Sequence, residues 1–270
     1  MTRTATRPRA RILALAALAV LAGCGRAIPT AVATGPTVLI VFAAASLGDV
    51  LEAAADPYRS ASGRTYVVST DSSTTLRTQI EQGARADVFL AADTANPDAL
   101  AAAGLVDGDV VPFAATRLAI VVPVANVAGI TTPFDLARPG LKVVAAGAEV
   151  PISTYAAALL EHLAALPGAP AGFEVAYAAN VVSREDNVRA ALAKVELGEA
   201  DAAIVYASDA ATSSRVRTIE IPAEANVVAT YAAAVPSASG APAAGHAFVE
   251  WLAGPDGQAI LARFGFEPVP

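Results

Sequence analysis

Residues 37–43 (Thr-Val-Leu-Ile-Val-Phe-Ala) form one continuous apolar run. A run of this length without polar alternation predicts a strand buried on both faces. A helix is predicted over about 48–55. The same order then repeats: strand 65–69, helix 74–82, strand 87–91. Further strands are predicted at 118–122 and 142–145, followed by a helix from 154 to about 166. A strand at 173–177, a helix at 187–197 and a strand at 202–206 come next. Residues 227–235 read as extended, and helices over 246–253 and 257–264 close the chain. Alternating elements of this kind predict an α/β protein with mostly parallel sheets flanked by helices.

The residues ahead of this pattern have a different character. Arg3, Arg7, Arg9 and Arg11 precede an apolar run over 12–21, which ends in Leu21-Ala22-Gly23-Cys24. A basic start, a short apolar stretch and small residues before a cut predict a secretory signal peptide over 1–23. The run is too short to span a bilayer as an ordinary helix. Cys24 is the chain's single cysteine, so intrachain disulfides, CxxC redox pairs and multi-cysteine metal clusters are excluded. Leu-Ala-Gly-Cys also resembles the bacterial lipobox. That resemblance implies lipidation at Cys24 and a protein held extracytoplasmically at the cell membrane. Residues 25–36, small and with two prolines, read as a tether, so 24–36 is assigned as linker.

Composition narrows the function classes. Hydrophobic residues make up 55% and aromatics 6% of the 270 residues, so the core is built from Ala, Val, Leu and Ile and needs no disulfide staples. The formal charge is −7, and setting aside the four leader arginines leaves −11. That balance argues against nucleic acid as a partner. An anion bound here is held by a local site and not by the overall field.

The candidate chemistry lies ahead of the helices. Ser46 precedes the first, Ser72 and Ser73 the second, and Pro151-Ile152-Ser153-Thr154 leads into the third. Ser183 and Asn187 flank the start of the fourth. A helix start carries unpaired N–H groups and partial positive charge. A Ser or Thr there ordinarily caps its own helix. If several such starts converge, as they do beyond the carboxyl ends of strands in open α/β sheets, their N–H groups and hydroxyls bind an anion without Lys or Arg. The two histidines, His162 and His246, are scattered and form no metal site. Asp87, Asp93, Asp201 and Asp209 lie near strand ends without ligand spacing. No GxSxG elbow, Walker loop or HExxH is present.

Phe42-Ala43-Ala44-Ala45-Ser46-Leu47 resembles the opening strand and loop of the periplasmic molybdate-binding proteins. The run Ser72-Ser73-Thr74-Thr75-Leu76, continuing through Gln79-Ile80-Glu81-Gln82-Gly83-Ala84 to Ala86-Asp87-Val88-Phe89, resembles that family's second segment. Val150-Pro151 with Tyr155 is similar to its third. Asn187 to Leu192, Gly198 to Asp201 and Ile204 to Ala210 are similar to its fourth, and Phe264-Gly265-Phe266 to its C-terminal motif. The resemblance covers about 38–266.

It implies the two-lobed type II periplasmic binding protein fold with the ligand in the inter-lobe cleft. Lobe 1 would be 37–116 plus 234–270, and lobe 2 would be 117–233. It also implies five ligand contacts: hydroxyl and N–H from Ser46 and Ser73, backbone N–H from Ile152 and Val188, and the phenol of Tyr206. The ligand would be molybdate, with tungstate expected alongside, delivered by a monomer to an ABC transporter permease. No cofactor or metal-ion ligand is expected. Two positions depart from the family's pattern: Ile152 is bulkier than usual, and Asp71 puts a carboxylate beside the serine pair. Rival readings are a binding protein of the same fold for sulfate or phosphate, and a small exported hydrolase using Ser46 or Ser73, for which no base is evident.

Overall fold

In the computed structural model, residues 38–270 are described. The predicted signal peptide, Cys24 and the tether lie outside the described residues. The apolar run opens the fold as β1 (Val38–Ala44). It pairs in parallel with β2 (Thr65–Asp71) on one side and β3 (Val88–Ala91) on the other. Helix α1 (Gly48–Ser62) joins β1 to β2, and α2 (Ser73–Glu81) joins β2 to β3. Helix α1 stops at Gly63, whose φ of 69° is left-handed and whose N–H reaches Arg59 O, the usual glycine C-cap. Asp87, just ahead of β3, is buried. Its carboxylate accepts from Ile40 N–H at 2.9 Å, Ser239 Oγ at 2.7 Å and Gly240 N–H at 3.0 Å, so this acid ties three segments together.

A second parallel triplet is made of β5 (Val143–Ala146), flanked by β6 (Val181–Glu185) and β7 (Ala202–Tyr206). Helices α4 (Pro151–Ala164) and α6 (Val188–Glu196) follow β5 and β6. The triplets are connected through two long strands, β4 (Val106–Pro123) and β9 (Val228–Pro236), which pair with each other antiparallel. β9 also pairs antiparallel with β3, and the end of β4 with β7 and with β8 (Val216–Ile219). The strand order is β2-β1-β3-β9-β4-β7-β5-β6, with β8 on β4. The sheet is therefore mixed: parallel inside each triplet and antiparallel at every pairing of β4 or β9. Three further helices, α3 (Ala95–Ala102), α5 (Phe173–Asn180) and α7 (Ala207–Ala211), lie between strands, and α8 (Pro242–Ala253) and α9 (Pro255–Arg263) end the chain.

Residues 173–177, expected as a strand, form the first part of helix α5. The alternation of Phe173, Val175 and Tyr177 is misleading, because Val175 is 76% exposed. The buried residues are Phe173, Tyr177 and Asn180, spaced as one helix face. Asn180 anchors that face, its Nδ2 donating to Leu136 O and Arg138 O. Ser183 does not flank a helix start. It lies inside β6, bonded to Glu185 and to Lys194 Nζ.

Candidate functional site

All six strands of the two parallel triplets end at one small pocket. It is lined by Ala44, Ala45 and Ser46 after β1, Asp71, Ser72 and Ser73 after β2, and Ala92 after β3. Val150 and Pro151 come after β5, Asn187 and Val188 after β6, and Tyr206 ends β7. Ser46, Ser73, Val188 and Tyr206, four of the five residues singled out in the sequence, are thus brought together. Ile152 is not on the wall. Its side chain is buried in the apolar core, while the preceding Val150 and Pro151 line the pocket.

The helix starts are prepared to leave donors free. In α2 the cap is Ser72 and not Ser73: Ser72 Oγ accepts from Thr75 N–H at 3.2 Å, and Ser72 O from Leu76 N–H at 3.0 Å. In α6 Asn187 plays the same part for Ala190 and Ala191. In α4 Ser153 N–H returns to Val150 O, and Pro151 has no N–H. The N–H groups of Ser73, Ile152 and Val188 are left without an acceptor among the described residues. Three helix N-termini therefore add partial positive charge at one place.

Ser46 and Ser73, which could have been caps themselves, are not. Ser46 sits in a short 3-10 turn, Ala45–Leu47, with no side-chain cap bond, and its Oγ lies 2.8 Å from Tyr231 Oη. Ser73 Oγ accepts from Ala92 N–H at 2.9 Å. The Tyr206 phenol is fully buried, lines the pocket and has no hydrogen-bond partner among the described residues. A buried polar atom in that state costs about 1–3 kcal/mol. Burial, and then the neighbouring Tyr231 and Tyr155 rings, push its pKa well above the ordinary tyrosine value, so it remains a donor at neutral pH.

Among the described residues no Lys, Arg or His lines the pocket. The one charge among the described lining residues is Asp71, whose carboxylate is turned onto Ser72 N–H at 2.7 Å. A cation lies just behind: Arg189, next to Val188, is paired with Asp49 on α1, with the buried Asp209 on α7 at 3.4 Å, and with Thr212 Oγ1 at 2.9 Å. Burial pushes Asp209 up to about 7, against the lowering effect of Arg189. The arrangement presents neutral donors to an anion and lacks a base for the serines. His162 Nδ1 is engaged with Ala225 O at 3.1 Å, and His246 Nε2 with Asp107 at 3.1 Å.

The profile of the family described as bacterial extracellular solute-binding protein matches residues 39–267. The chain belongs to that family. A relative is the molybdate-binding protein ModA of Mycobacterium tuberculosis H37Rv, 35% identical over 252 residues, 91% of this chain and 92% of the relative. Among solved structures, the periplasmic molybdate-binding protein of Azotobacter vinelandii aligns with TM-score 0.73 at 23% identity. It covers 86% of this chain and 99% of its own. The sulfate-binding protein SubI of M. tuberculosis H37Rv aligns with TM-score 0.75 at 21% identity, covering 87% and 88%. These likenesses agree with the expected type II binding-protein fold. This solute-binding protein is not an enzyme, which disposes of the hydrolase alternative.

Sequence reasoning missed Tyr231 and Ala92, the two residues that hold the pocket serines. Tyr231 lies 185 positions from Ser46, and nothing local in the chain marks that pairing.

Proposed function

We propose that this solute-binding protein captures a tetrahedral oxyanion, molybdate foremost and tungstate with it, outside the cytoplasm and hands it to the permease of an ABC importer. The observation that carries this reading is the buried Tyr206 phenol, unpartnered among the described residues, beside three helix starts in a pocket that no described cation lines. A dianion with four acceptor oxygens satisfies all of these donors at once, and hydrogen bonds to a charged acceptor are the stronger ones. The contacts are assigned to Ser46, Ser73 and Tyr206 through side chains, and to Ser46, Ser73, Ile152 and Val188 through N–H groups. The name and extent of the mycobacterial relative support molybdate over other oxyanions.

Capture involves closure of two lobes, 37–116 plus 234–270 and 117–233, about the crossing strands β4 and β9. Closure makes contacts that exist only around the ligand. Cys24 carries the lipid that keeps the monomer at the membrane. Among the described residues no helix is long and apolar enough to cross it.

A thermal-shift panel of oxyanions tests the reading. Molybdate and tungstate should raise the melting temperature at micromolar concentration, whereas sulfate and phosphate should require far more. A ligand at about 100 times its Kd adds roughly 2.7 kcal/mol of stability. A larger shift with sulfate than with molybdate would replace the assignment by a sulfate-binding one.

A further inference from the structure

The pocket serines differ from ordinary hydroxyls in one respect: each is already held by a second group of the protein. For Ser73 that group is Ala92 N–H, which can only donate, so the Ser73 hydrogen stays free for the pocket. For Ser46 it is Tyr231 Oη at 2.8 Å, a bond in which either oxygen could donate. Three considerations decide its direction. A phenol is the stronger acid of the pair and the weaker acceptor. Burial raises the Tyr231 pKa well above the ordinary value, so its hydrogen is retained and must be placed. Ser208 also lies beside this phenol, yet its Oγ makes no hydrogen bond of bonding geometry, which leaves Ser46 Oγ as the acceptor. Tyr231 sits on β9, fully buried, with its ring against Tyr206 (centroids 5.5 Å), Phe266 (5.1 Å) and Phe113 (6.3 Å). The phenol therefore cannot swing away.

We propose that Tyr231 is a positioning residue for the oxyanion site: it donates to Ser46 Oγ and thereby fixes Ser46 as a donor to the ligand. This rests on the oxyanion reading. With Tyr231 in place one of the two lone pairs of Ser46 Oγ is taken and its hydrogen is directed to the pocket, so the site favours a fully deprotonated oxyanion. Without Tyr231 the hydroxyl of Ser46 can rotate and accept from a ligand that bears a proton, such as hydrogenphosphate.

The test is calorimetry on four proteins, wild type, Tyr231→Phe, Ser46→Ala and the double variant, with molybdate and with phosphate at pH 7.5. Melting temperatures without ligand are recorded on the same samples. Wild type that binds neither anion would refute the oxyanion reading itself, before the variants are compared. Given binding, Tyr231→Phe should weaken molybdate about three- to tenfold, the worth of one neutral hydrogen bond. It should weaken phosphate less, and the same change should cost no further affinity in the Ser46→Ala background. A purely structural role for Tyr231 would lower the melting temperature and weaken both anions equally, in either background. That result, or unchanged molybdate binding in Tyr231→Phe, would overturn the proposal.

Discussion

Replacing Tyr206 by phenylalanine should stabilise the empty protein and weaken its grip on oxyanion, two effects of opposite sign from one oxygen. The phenol is buried with no partner among the described residues, and such a group costs about 1–3 kcal/mol. Phenylalanine keeps the ring in its contacts with Tyr231 (centroids 5.5 Å) and Tyr155 (6.4 Å) while removing that cost. At roughly 2–4 °C per kcal/mol for a domain of this size, the unliganded melting temperature should rise by a few degrees. In the proposed complex the same oxygen donates to a charged acceptor. Losing such a bond costs about 1.5–3 kcal/mol, which is a tenfold to hundredfold rise in Kd. Differential scanning fluorimetry without ligand and calorimetry with molybdate measure the two effects separately. An unliganded melting temperature that falls, with Kd unchanged, would refute the reasoning. It would mean that the phenol is satisfied within the protein and does not reach the ligand.

Ser73→Ala should behave in the opposite way on the stability axis. It strips the acceptor from the buried Ala92 N–H, so the melting temperature and the oxyanion affinity should fall together, by about 1–3 kcal/mol for the orphaned N–H. Asp209→Asn should change the pH dependence of stability. The native carboxyl, pushed up from 3.8 to about 7 chiefly by burial, holds a proton that the unfolded chain releases. Its stabilising contribution is complete below about pH 4 and is lost as pH rises through about 7, on the order of 4 kcal/mol at full extent. Melting curves between pH 4 and 8 should show wild type falling relative to Asp209→Asn over that window. A constant difference would place the Asp209 titration elsewhere.

Most of the fold was legible because buried parallel strands have a plain signature. The run at 37–43 and the shorter one at 87–91 became β1 and β3 nearly to the residue. The difficulties came where tertiary contact decides. The first half of β4 was not expected, since Gly108 and Pro112 interrupt it, yet β4 tolerates both at its irregular register with β9. Residues 173–177 alternate as a strand would, but Asn180 gains two carbonyl acceptors only if the segment coils. Strand β6, which follows directly, takes its place beside β5.

The candidate site divides along the same line. What a helix start does is written within four residues, so Ser46, Ser73 and Val188 could be picked out before any coordinates, and the strand-end rule for α/β sheets placed them together. Whether a serine at such a start caps or donates is not local. Ser72 and Ser73 are adjacent and chemically identical, and they are told apart only by Ala92, whose N–H arrives from the end of β3 to occupy Ser73. Ser46 is likewise defined by Tyr231 from a strand 185 positions on. The charges follow the same logic. Asp71 looked like an electrostatic liability beside an anion, but its carboxylate is engaged by the N–H of its own neighbour. Arg189, unremarked in the sequence, reaches from α6 to Asp49 on α1. Since Arg189 directly follows Val188, the backbone that offers an N–H to the pocket also carries the cation that spans the two triplets. The proposed anion contact of Val188 and the ion pair between α6 and α1 thus share one turn of helix.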